Sequence, residues 1–212
     1  MAEVVNKREA ALEKGPATYA DLEAVPPHLV AEIIGGRLLT HPRPSRRHVT
    51  TAMALAFELG PAFQKGAGGP GGWVFADEPE LHLGSEVLVP DLAAWRAENL
   101  ATHPETPYFS VRPDWLCEIL SASTETRDRT LKMSSYGGAG VPHMWIIDPR
   151  QQILEAFELR TGRWTRLGGW NSADEVRAAP FDAVTFSLAD LWPLDKPLGF
   201  NESPQPLYAG DR

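Results

Sequence analysis

Two acids stand where apolar neighbours should exclude them. Asp91 follows Pro90 inside "EVLVPDLAAW", and Glu118 interrupts "WLCEIL". An unpaired carboxylate in such surroundings is costly or takes up a proton, so each needs a partner. For Asp91 alone, backbone N–H groups at a strand irregularity marked by Pro90 would suffice. Two such acids on core strands call for more. If the strands are neighbours, both carboxylates can converge on a divalent cation that offsets their repulsion, and hard oxygen donors favour magnesium or manganese over zinc. The next segment supplies a third member, because Asp128, Lys132 and Tyr136 recur every four residues and share one helical face. On an ordinary surface helix Asp128 and Lys132 form a solvated pair. Directly after Glu118, a helix folding back over the strand brings the ammonium to the carboxylates, where it can position a water or stabilise developing negative charge.

The elements that must place these groups follow from patterning. Thr18 caps a short helix, "YADLEAV", ended by Pro26 and Pro27, and "LVAEIIGGRLLTH" reads as a hairpin turning at Gly35 and Gly36 with Glu32 on its first strand. Ser45 caps a longer helix, "RRHVTTAMALAFELGPAFQK". Val49, Met53, Ala56 and Leu59 or Phe63 supply its helically spaced stripe against a sheet. After the Gly-rich "GAGGPGG", the runs "WVFAD", "ELHL" and "VLVPDLAAWR" read as an antiparallel meander, the last as one long strand. "PDWLCEIL" reads as a central strand, Thr124 to Ala139 as a helix, and "VPHMWIIDP" as a strand parallel to the first through a right-handed crossover. "ILEAFEL" and "RWTRLG" add an antiparallel edge. The expected fold is α/β of the mixed α+β kind, a mixed β-sheet flanked by α-helices. The expected organisation is a flexible leader over residues 1–16, one domain over 17–195 and a Pro-rich tail over 196–212.

Composition narrows the function. The 212 residues carry 43% hydrophobic side chains, enough for a sizeable core, and no uncharged apolar run long enough to span a membrane. The expected location is cytoplasmic. Cys117 is the single cysteine, which excludes an intrachain disulfide and paired-cysteine zinc sites. A net charge of -8 argues against a nonspecific DNA coat while leaving room for a local basic groove. "GAGGPGG" lacks the Gly-Lys-Ser/Thr ending of a phosphate loop, and Ser121 or Ser123 with His143 lacks the Gly-x-Ser-x-Gly elbow of a hydrolase triad.

Taken together, "VPD" at 89–91, "CEIL" at 117–120 and "STETRDRTLKMSSYGGAGVPHMWIIDP" resemble the PD-(D/E)XK nuclease superfamily, and within it the Uma-two family of restriction-endonuclease-like proteins. The likeness runs from about Leu29 to Leu191 and includes "AEIIGGRLL" and the "PSRRH" helix start. It implies a restriction-endonuclease-like core and a magnesium- or manganese-dependent endonuclease acting on DNA. Asp91 and Glu118, with the carbonyl of Ile119, would be the metal ligands, and Lys132 the ammonium of the site. Leu120 stands where the superfamily pattern expects lysine, and Lys132 matches the relocated lysine of the Uma-two branch. Glu32 matches an acid in the family's first hairpin that would hold the metal or orient Lys132, with Asp128 and Tyr136 in support. The likeness places Arg46, Arg47 and His48 on the DNA-facing side, as phosphate contacts. Symmetric cutting of a duplex calls for a homodimer. The rival expectation, raised by Leu120, is a catalytically degenerate nuclease fold that binds DNA or serves a structural role.

Overall fold

The computed structural model describes residues 15–100 and 106–195. Residues 1–14 of the expected leader, and the expected tail 196–212, lie outside the described residues. Thr18 caps helix α1 (Tyr19–Glu23) through a reciprocal box with Asp21. Strands β1 (Leu29–Ile34) and β2 (Arg37–Pro42) pair antiparallel. Gly35 and Gly36, at φ of 58° and 71°, supply the two left-handed residues that such a tight hairpin requires. Ser45 accepts the His48 N–H to cap helix α2 (Arg46–Phe63). Then come β3 (Trp73–Asp77), β4 (Leu81–Leu83), β5 (Glu86–Leu88), β6 (Leu92–Arg96), helix α3 (Ala97–Leu100) and β7 (Trp115–Ile119). A helical stretch follows in three parts: α4 (Glu125–Arg127), a π-helical segment Asp128–Lys132, and α5 (Met133–Gly138). Strands β8 (His143–Asp148), β9 (Ile153–Arg160) and β10 (Arg163–Asn171) lead to the short pair β11 (Glu175–Val176) and β12 (Phe186–Ser187), and to a 3-10 turn at Leu188–Leu191.

Two sheets carry the architecture. One is six-stranded and mixed, in the order β10-β9-β8-β7-β6-β3, with β7 and β8 parallel and the other pairs antiparallel. The other is four-stranded, in the order β2-β1-β5-β4. The mixed fold and the parallel crossover are as the sequence patterning predicts. The single long strand over "VLVPDLAAWR" is not. The run breaks at Val89-Pro90-Asp91, so that β5 joins the four-stranded sheet and β6 the six-stranded one. Pro90 cannot donate to a ladder, which makes this the natural place for the chain to change sheets. A simple meander is thereby corrected to a strand shared between two sheets.

Residues alternate across the six-stranded sheet. Leu92, Ala94, Trp115, Cys117 and Ile119 face a core closed by α2 and by Phe181, Phe186, Leu188, Leu191 and Trp192 from the last described segment. Ala93, Trp95, Leu116 and Leu120 face a second core with Tyr136, Val141 and the four-stranded sheet's Ile34, Leu81 and Leu88. The buried stripe of α2 is Thr51, Ala52, Leu55, Leu59, Ala62 and Phe63. The stripe predicted from Val49 and Met53 is therefore wrong at its start: these two are 46% and 51% exposed, and Phe57 is 69% exposed. Both registers have helical spacing, and the one that forms buries Leu55 and Leu59 fully and places His48 against Asp91. Among the described residues no helix is long and apolar enough to cross a membrane.

Phe181 keys the first core. Its ring centre lies 4.7 Å from that of Phe63, 4.9 Å from Trp73, 5.0 Å from Trp115, 5.4 Å from Phe75 and 5.6 Å from Trp145. Phe181→Ala is expected to cost about 3–5 kcal/mol in urea unfolding, from lost burial and the cavity left behind. Phe57→Ser, on the exposed side of α2, should stay within about 0.5 kcal/mol of the parent.

Candidate active site

The break between β5 and β6 fixes Asp91. Register pairs Leu92 with Cys117, so Asp91, one residue before, is level with Glu118, one residue after. Alternation along β7 then turns Glu118 away from α2, toward the helical stretch and the four-stranded sheet. The two acids that stood out in the sequence thus share one end of neighbouring strands and line one pocket of about 170 Å³.

Lys132 closes the arrangement from the π-helical segment. Its Nζ lies 2.7 Å from Glu118 Oε1 and 3.0 Å from Glu32 Oε1, and donates to the Val89 carbonyl at 2.9 Å. An ammonium has three donors, and three acceptors surround it. The side chain is 3% exposed, so the solvated pair of an ordinary surface helix is not what forms here. The π turn, where Met133 N–H reaches back to the Asp128 carbonyl, presents Asp128 and Lys132 inward together. Tyr136, one turn on, donates its hydroxyl to Glu118 Oε1 at 2.6 Å. Asp128, Lys132 and Tyr136 are all buried, as their shared face predicts.

Asp91 is held from two sides. Its Oδ1 lies 2.6 Å from His48 Nε2, and its Oδ2 accepts the Ile119 N–H at 2.6 Å. Glu32, fully buried on β1, accepts the Val89 N–H at 3.0 Å as well as the lysine. Its Oε1 thus stands 3.0 Å from Lys132 Nζ, the group the first hairpin's acid was expected to meet if it did not hold the metal. The trio at the start of α2 is divided. Arg46 is exposed, Arg47 forks onto Asp195 at 2.6 and 2.8 Å, and His48 is taken up by Asp91. Arg47 and His48 thus spend their polar ends on Asp195 and Asp91 in this arrangement. His143 pairs in register with Trp115, at the far end of β7 from Ser121, and the serine triad finds no geometry.

Burial and charge pull the titrating groups in opposite directions. Burial raises the Glu118 carboxyl well above its usual range, with Asp128, Asp91 and Glu32 adding to the rise and Lys132 opposing it. Glu32 is equally buried, yet Lys132, the Val89 N–H and Arg127 hold its carboxyl below the ordinary value. Burial alone would lower Lys132, but the charges of Glu118, Glu32, Asp128 and Asp91 outweigh it and keep the amine protonated. An ammonium so placed donates hydrogen bonds to the acids around it. Burial likewise opposes the charged form of His48, and Asp91 more than compensates.

Four further ionisable side chains line the pocket that the sequence reading does not name: His41 from β2, Arg43, Glu78 and Arg127. In "TETRDRT" an arginine beside an acid is indistinguishable from a solvated helix pair. Only the fold shows that it faces Glu32, with 3.7 Å between Arg127 Nη2 and Glu32 Oε2.

The model of the family described as Uma2, "Putative restriction endonuclease", matches residues 16–189. The chain belongs to the Uma2 family. A crystal structure described as a "putative nuclease belonging to DUF820", from Anabaena variabilis, has a similar fold. The TM-score is 0.67 at 19% identity, covering 84% of this chain and 98% of that one. Comparison with curated proteins finds no match.

Among the described residues of this Uma2 chain, no three His, Cys, Asp or Glu side chains form a ready cage for a metal ion. A divalent cation that keeps several waters needs only one or two carboxylates. The donors that fit it are Asp91, Glu118 and the carbonyl of Ile119, all from residues at the pocket wall. Glu118 Oε1 already takes the bonds of Lys132 and Tyr136, which leaves Oε2 for a ligand. These are hard oxygens of the kind that magnesium and manganese prefer.

Removing the ammonium should expose how much the site depends on it. Lys132→Met leaves Glu32 and Glu118 buried without their cation, and a loss of about 3–5 kcal/mol is expected in chemical denaturation. Combining Lys132→Met with Glu32→Gln should cost clearly less than the sum of the two single changes, because the second removes the charge that the first stranded.

Proposed function

We propose that this protein is a metal-dependent endonuclease that hydrolyses phosphodiester bonds in DNA, with magnesium as cofactor and manganese as a substitute. The observation that carries the reading is the meeting of Asp91, Glu118 and a buried, protonated Lys132 at one end of neighbouring strands, 2.7 Å separating Lys132 Nζ from Glu118 Oε1. The family description and the nuclease-like structural neighbour support it. A cation bound by Asp91, Glu118 and the Ile119 carbonyl would polarise a phosphate and lower the pKa of a water.

The chain's own residues then have distinct tasks. His48 and the Ile119 N–H fix the Asp91 carboxylate, and Tyr136 fixes that of Glu118. Lys132 neutralises the two acids nearest it and adds positive potential where charge grows on the reacting phosphate. An ammonium there also orients the attacking water. Attack in line with the departing 3′ oxygen leaves a 5′ phosphate, the water's protons going to solvent and to that oxygen. A homodimer in the cytoplasm, one site per strand, accords with duplex cutting.

The second reading is a degenerate nuclease fold that binds DNA without cutting it, or serves a structural role. It is favoured by one observation: all three Lys132 donors are already on protein oxygens. Incubating supercoiled plasmid and labelled oligonucleotides with magnesium or manganese separates the two. The wild type should nick and cleave, while Asp91→Asn and Glu118→Gln should not. Manganese should raise the melting temperature of the wild type and not that of Glu118→Gln. DNA binding without turnover, equal in all three proteins, would establish the second reading.

A further inference from the structure

The basic side chains Arg43, Arg127 and Lys132 line the pocket, and the protein treats them differently. Lys132 has every donor on a protein oxygen. Arg127 makes no side-chain hydrogen bond among the described residues, and its Nε is buried without a partner. The nearest carboxylate oxygens, on Glu32 and Asp128, are each 3.7 Å away, beyond hydrogen-bond reach. A guanidinium with 16% of its side chain exposed, its Nε buried without a partner and its Nη groups bonded to no protein oxygen has donors to offer a ligand. The two acids fix its direction by charge without occupying its donors.

The surroundings say which acceptor fits. Arg127 lies on the pocket wall together with Ser121, Ser123 and Thr124. Their hydroxyls form a bonded group, with Ser121 Oγ 3.1 Å from Ser123 Oγ and 2.9 Å from Thr124 Oγ1. Arginine flanked by hydroxyls is the set with which proteins grip backbone phosphate, and a guanidinium takes two phosphate oxygens at once. Arg43, also on the pocket wall, is less available. It donates to the Pro27 carbonyl at 3.2 Å and lies 3.5 Å from Glu78.

We propose that Arg127 binds the DNA phosphate in this site, its guanidinium forking onto the non-bridging oxygens while Lys132 stays bound to the protein. This deepens the nuclease reading and rests on it. The contact makes and breaks no covalent bond, and gives the site a cation free to meet the substrate. It also separates two roles that a single motif lysine would combine, balancing the buried acids and touching the phosphate.

The test is fluorescence anisotropy with a labelled duplex oligonucleotide, across a salt series with and without magnesium, alongside cleavage kinetics. Arg127→Gln should weaken binding about 10- to 100-fold irrespective of sequence and reduce the salt slope by about 1. Arg163→Gln, which removes an equal charge from exposed β10, should change neither. Unchanged affinity, salt slope and turnover in a folded Arg127→Gln overturns the proposal, and a lowered melting temperature alone marks Arg127 as a counter-ion to Glu32. Should Arg127→Gln not fold, Arg127→Lys decides. An ammonium cannot reproduce the fork, so about tenfold weaker binding supports the assignment and wild-type behaviour overturns it. A wild type that binds and never cuts sinks the nuclease reading while binding still judges Arg127. A wild type that does neither sinks both.

Discussion

One ammonium holds the two sheets in register. Lys132 reaches Glu32 on β1 of the four-stranded sheet, Val89 in the break just after β5, and Glu118 on β7 of the six-stranded sheet. Each acceptor comes from a different element, so the bonds form only when all three elements are in place. Buried ion pairs are poor sources of net stability, because desolvation consumes most of the attraction, yet their geometry is demanding. Here that demand is met by tethering the lysine to a π-helical segment that turns it inward.

The same constraint bears on Leu120, two residues after Glu118. Leu120 stands where a motif lysine would be, and its side chain is packed with Ile34, Tyr136 and Val141 in the second core. A charge there would have to be buried among apolar groups. An apolar Leu120 lets β7 close its end in that core while the Lys132 ammonium arrives from the helical segment. Tyr136 belongs to both arrangements at once, its ring in that core and its hydroxyl on Glu118.

Much of this was legible in the sequence. Glu118 and Asp91 announce themselves as charges among apolar neighbours, and the four-residue spacing of Asp128, Lys132 and Tyr136 gives their common face. Glu32 was half legible: a strand glutamate looks alike buried or exposed, and only its distance to Lys132 decides. The break at Pro90 was read as an irregularity within one strand, since nothing local says that the next residues change sheets. The stripe of α2 was misplaced because Val49, Met53 and Phe57 keep helical spacing as well as the buried set does. Arg127 and the His48 contact to Asp91 were not legible at all, for each depends on partners 43 or more residues away, or on a pocket that exists only after folding.

Val89 has a further implication. In a regular strand its N–H and carbonyl would join a ladder, but here the N–H goes to Glu32 and the carbonyl accepts from Lys132. A single peptide position is therefore completed by side chains from a hairpin near the start of the chain and a helix well past its middle. A copy of the protein with either sheet unformed has neither the lysine bridge nor the pocket beside it. The pocket is thus a property of the two sheets together and of neither alone.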